Sequence, residues 1–169
     1  MKSKNEPIVK LEKAKSISEV FTLVSDLIHE TFNVRNNGLL VAMDNIPVSN
    51  QGIVAGLYVP DEKTIVVNKL LLKEIKAKNP DLLNSYLFHV LLHEYLHSIG
   101  FVDEKETRKL TFLISNRHFG IDHKTTKIAL NINKFIGLFG NGEIPYQNMD
   151  TRVRALPEPV DKWTINYIG

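Results

Sequence analysis

His93-Glu94-Tyr95-Leu96-His97-Ser98-Ile99-Gly100-Phe101-Val102-Asp103 joins the end of an apolar helical segment to a reversal of the chain. On a helix the two histidines stand one turn apart, about 40° around the axis and about 6 Å along it, so both imidazoles can converge on one ion. Glu94 projects beside that pair, near enough to take a proton from water on the metal. These residue types at this spacing point to zinc-dependent hydrolysis, with Glu94 as general base.

The surroundings favour that reading over two incidental histidines. Leu82, Leu83, Tyr86, Leu87, Val90, Leu91, Tyr95, Leu96 and Ile99 make the segment apolar nearly all round, which predicts a helix buried through a core. Three ionisable groups buried there unpaired would cost several kcal/mol each, on the order set by desolvation, whereas one divalent cation satisfies them together. His89 extends the stripe by a further turn, but about 12 Å of helix separates it from His97, too far for a shared ion. A supporting or core role is expected for it.

The spacing His-Glu-x-x-His-x-x-Gly-x-x-Asp, carried by His93, Glu94, His97, Gly100 and Asp103, resembles the elongated zinc motif of the metzincin metallopeptidases within the zincins, in the variant with aspartate as third ligand. That resemblance implies one Zn2+ held by His93, His97 and Asp103. Asp103 also fits a helix cap, in a capping box with Glu106. Glu104 and Glu106 are rival ligands, because other zincins take a glutamate from the following helix; His118 and His123 are further rivals. Metzincins also carry a methionine in a turn beneath the metal, and Met149 is the residue available for that role.

The length of 169 residues and the 43% hydrophobic content predict one domain with a sizeable core. A net charge of +2 with interspersed signs gives no electrostatic case for nucleic acid or an anionic membrane. Cysteine is absent, which leaves histidine and carboxylate as the practical zinc ligands. Residues 1–7 lack the apolar run of a signal peptide and no stretch is long enough to span a bilayer, so a cytoplasmic setting is expected.

The order of elements predicts an α+β fold: a single zincin-like domain whose small mixed or antiparallel sheet packs on the active-site helix. Residues 1–15 read as a mobile basic terminus, 16–145 as the catalytic domain and 146–169 as an extended tail carrying Trp163 and Tyr167. Ser16, with Glu19 three residues on, opens a helix to about Asn33. Gly38 to Met43 reads as a strand, and Val54–Val59, Pro60–Lys63 and Thr64–Asn68 as a hairpin running into a helix from Lys69. Asn79-Pro80-Asp81 starts the long helix. Further helices are expected from Asp103 to about Asn116 and from Thr125 to Phe139.

By the resemblance, the hairpin would line the cleft, and a peptide or protein would be the substrate. Tyr58, Tyr95, Tyr146, His118 or His123 would then donate to the tetrahedral oxyanion. Two other functions fit the same residues. A metal-dependent endoribonuclease of ribosomal RNA maturation has a similar His-x3-His spacing but lacks the glutamate. A metal-stabilised binding module would need no base beside the first ligand.

Overall fold

The computed structural model describes residues 5–47, 52–139 and 158–159. Helices α1 (Glu6–Lys13) and α2 (Ile17–Phe32) come first. Residues 6–13, expected in a mobile terminus, are instead helical and anchored. Pro7 sits in the first turn, Glu6 and Lys10 pair at 2.9 Å, and Leu11 is only 1% exposed. Asn84 on a later helix donates to the carbonyls of Leu11 (2.8 Å) and Ala14 (3.0 Å), clamping the end of α1. Ser16 caps α2 by accepting from the Glu19 N–H, and left-handed Asn33 ends it.

The sheet is built on β1 (Leu40–Asp44), β2 (Gly56–Val59) and β3 (Thr64–Asn68), with the two-residue β4 (Glu158–Pro159) beside β1. Its order is β2-β3-β1-β4: β1 and β3 are parallel, and both remaining pairings are antiparallel. The sheet is therefore mixed. β3 is buried along its whole length, as its unbroken Thr-Ile-Val-Val run requires, while β2 lies at an edge. Asn68 ends β3 fully buried with its amide satisfied. It accepts from the Leu70 N–H to cap α3 (Lys69–Lys78) and donates to the carbonyls of Ile46 and Val54.

A short 3-10 turn at Pro80–Leu82 leads into α4 (Leu83–Ser98), which is buried on almost every side from Leu83 to Leu96. It contacts α2, β2 and β3 and forms the centre of the molecule. α5 (Glu104–Phe119) doubles back along α4: Glu104 reaches His97 at one end, and the Phe119 ring packs edge-on against Phe88 at 4.8 Å at the other. The helix expected from Thr125 to Phe139 is two, α6 (Lys124–Leu130) and α7 (Ile132–Phe139). Asn131 breaks it because its side chain accepts from the Lys134 N–H, starting a new helix instead of continuing the old one.

The fold is α+β in one small domain, as the pattern of elements predicted. Among the described residues no helix is long and apolar enough to cross a membrane. Tyr146, Met149, Trp163 and Tyr167 lie outside the described residues, as does most of the segment read as an extended tail.

Candidate metal centre

The corner between α4 and α5 assembles the site. Gly100 takes φ 109, a left-handed conformation that suits glycine. Its N–H bonds to the His97 carbonyl and the Phe101 N–H to the Leu96 carbonyl, both at 3.1 Å, the pair of bonds that closes a helix in a Schellman turn. This turn aims the Phe101 carbonyl at His97 Nδ1, 2.6 Å away. Buried Thr107 places its hydroxyl 3.1 Å from the same oxygen.

A carbonyl can only accept, so Nδ1 of His97 carries a proton, and Nε2 is the ring nitrogen turned to the other groups of the cluster. That nitrogen faces Glu104 Oε1 at 2.9 Å and His93 Nε2 at 3.2 Å. Glu104 Oε2 lies 3.3 Å from His93 Nε2. Three acceptor-rich groups at such distances need a proton or a cation between them. Tetrahedral zinc with ligands near 2.0–2.1 Å has donor-to-donor edges of about 3.3 Å, close to the spacing of this triangle. The residues thus fit a divalent metal, and among the described residues His93, His97 and Glu104 form the one such group.

Asp103, the aspartate of the extended motif, stands elsewhere. Its carboxylate accepts from the Glu106 N–H at 2.8 Å and caps α5, while its neighbour Glu104 turns to the histidines. The capping contact faces the helix end, so the third position of the cluster belongs to Glu104. Glu106 is exposed. His118 lies about 20 Å along α5 from Glu104, and His123 caps α6 by accepting from the Thr125 N–H. The structure brings neither to the cluster.

Glu94 is 8% exposed and receives a backbone hydrogen bond from Tyr58 on β2. Burial pushes its carboxyl up to about 7, opposed by the charge of His97 and by the Tyr58 bond and reinforced by Glu104. The Asn68 N–H to Ala55 bond sets the ladder so that the main-chain groups of Gly56 and Tyr58 face away from β3, which is why the Tyr58 N–H is free to reach Glu94. Gly56 permits this approach. A Cβ there would lie 2.7 Å from Val90 Cγ1 and 2.9 Å from the Val66 carbonyl.

Burial lowers His93 to about 4, with Glu104 acting in the opposite direction, and lowers His89 to about 3. The His89 ring lies 6.3 Å from that of His93, outside the triangle, and its buried Nδ1 has no hydrogen-bond partner. Of the oxyanion donors suggested by sequence, Tyr95 is 1% exposed and its hydroxyl accepts from the Asn36 N–H. Sequence reading passed over Arg108, whose Nε stands 3.7 Å from Glu104 Oε2. Its cue was the i,i+4 spacing from Glu104. No family model matches this chain, and neither does any curated protein or solved structure.

Proposed function

We propose that this protein is a zinc-dependent metallopeptidase in which His93, His97 and Glu104 hold the ion and Glu94 is the general base. The observation that carries the reading is the convergence of His93 Nε2, His97 Nε2 and a Glu104 carboxylate oxygen in one triangle, with buried Glu94 next to His93 in the chain. Zinc, when bound, supplies Lewis acidity that brings the pKa of a water towards neutrality.

Glu94 takes the proton of the attacking water and returns it to the leaving amine nitrogen. Burial raises this carboxyl above the ordinary range, the direction that favours giving the proton back. The Tyr58 N–H fixes its orientation. Edge strand β2 lies beside it, and the outward groups of Gly56 offer a strand-like substrate a main-chain partner. His93 and His97 are largely covered whereas Glu104 is 61% exposed, so the cluster opens to solvent on the α5 side.

A purely structural metal site would be closed by four ligands. Three converge here among the described residues, which favours an enzyme over a metal-stabilised binding module. The test is zinc content together with cleavage of an unfolded protein such as reduced casein. Wild type is expected to hold one zinc and cut, and Glu94→Gln to hold zinc and not cut. A Glu94→Gln protein that cuts at the wild-type rate removes the proposed base.

A further inference from the structure

Arg108 stands beside the cluster without being used by it. Glu104 Oε2 lies between the two, 3.3 Å from His93 Nε2 and 3.7 Å from Arg108 Nε. Glu104 is the only ionic partner of Arg108 among the described residues, and at 3.7 Å the pair is loose. The arginine side chain is 54% exposed, on the same α5 flank where Glu104 opens the site to solvent.

Charge sharpens the point. The two histidines contribute neutral rings as ligands, and the carboxylate of Glu104 is spent on the ion. With an ion bound, the guanidinium would share with it the one anionic partner that Arg108 has among the described residues. Exposed Lys105 and Lys109 carry the same sign along α5, and exposed Glu106 the opposite one. A guanidinium fork with free terminal nitrogens matches a carboxylate bidentately.

The geometry points to Arg108 as a specificity residue that selects peptides bearing a carboxylate next to the scissile bond, supplied by an acidic side chain or by the chain terminus. This rests on the metallopeptidase reading above and names its substrate class. A residue that merely orients Glu104 would affect every ligand of the zinc-loaded site alike. A carboxylate-selecting residue affects only those that carry the charge.

The test measures binding, without turnover, by calorimetry on zinc-loaded Glu94→Gln protein with and without Arg108→Gln or Arg108→Glu. Three probes are used: an acetylated tetra-alanine with a free carboxylate, its carboxy-terminal amide, and an amide with one internal glutamate. With Arg108 present, at least one anionic probe is expected to bind about tenfold or more tighter than the neutral amide. Arg108→Gln erases that difference with neutral binding unchanged, and Arg108→Glu reverses it. The free acid alone being favoured identifies the terminal carboxylate, and the glutamate probe alone the side chain. Equal binding of all three, a preference surviving Arg108→Gln, equal weakening of all three, or no binding overturns the assignment. Zinc content on the same samples separates the failures. A zinc-loaded protein indifferent to the carboxylate sinks only the Arg108 assignment, whereas a protein that takes no metal removes the hydrolase reading beneath it.

Discussion

Glu104 Oε1 lies 2.9 Å from His97 Nε2, seven residues along the chain and on the other arm of the α4–α5 corner. Its neighbour Asp103 closes the helix end that makes this reach possible. Adjacent acids therefore divide two tasks, one capping and one converging on the histidines.

That division separates two variants. Glu104→Gln is expected to weaken zinc binding by roughly a hundredfold or more, since an inner ligand should matter at least as much as the outer partners whose loss costs up to that. Asp103→Ala is expected to cost about 1 kcal/mol of stability and to leave zinc affinity nearly intact. Competition with a chromophoric chelator reads the first, and urea denaturation in EDTA the second. The reverse pattern would return the third ligand to Asp103.

Metal-free protein should lose stability on acidification below about pH 6.5. His93 and His89 have folded values lowered to about 4 and about 3, so their contribution is full above the unfolded value of 6.5 and is lost as pH falls towards the folded ones. Glu94, raised to about 7, runs the other way: its contribution is full below 4.5 and is lost as pH rises through about 7. Near pH 5.5 the unfolded chain holds about two protons on these three groups and the folded chain about one, a slope of about 1 kcal/mol per pH unit. Urea midpoints in EDTA at pH 6.5 and pH 5 check it, and equal midpoints would contradict it.

His89→Leu should flatten that slope. The substitution removes one of the two titrating histidines together with a buried Nδ1 that has no partner. At pH 7 stability is expected to be unchanged or higher, because an apolar side chain of similar size replaces an unsatisfied polar one. A marked loss at pH 7 would show that His89 makes an interaction the core needs.

Gly56→Ala should cost about 1–3 kcal/mol, because the added methyl meets Val90 and the backbone of Val66 and something must shift. Pushing β2 off α4 also loosens the Tyr58 bond to Glu94, so activity falls with zinc content unaltered. Denaturation and metal analysis on one preparation distinguish this from simple misfolding.

The long apolar run around His93 and His97, the capping signal at Ser16 and the hairpin punctuated by Pro60-Asp61 were all legible, because each is decided within a few residues. The break at Asn131 was not, since the apolar spacing continues across it and one side-chain bond to Lys134 settles the matter. Helix α1 was hidden in a run of lysines whose charge read as solvation, although Leu11 ties it to the core. The choice between Asp103 and Glu104 turns on adjacent side chains pointing different ways, which spacing alone does not resolve. Arg108 and Gly56 matter only once α5 and β2 are laid against α4.

Every donor atom of the triangle comes from the stretch between His93 and Glu104, so little loop-closure entropy is lost in gathering them. Alignment of the base differs, because Tyr58 must arrive from a distant part of the chain. On the proposed function, gathering the ligands would accordingly be a short-range event within one helical corner, whereas aligning the base would wait until the non-local strands have docked.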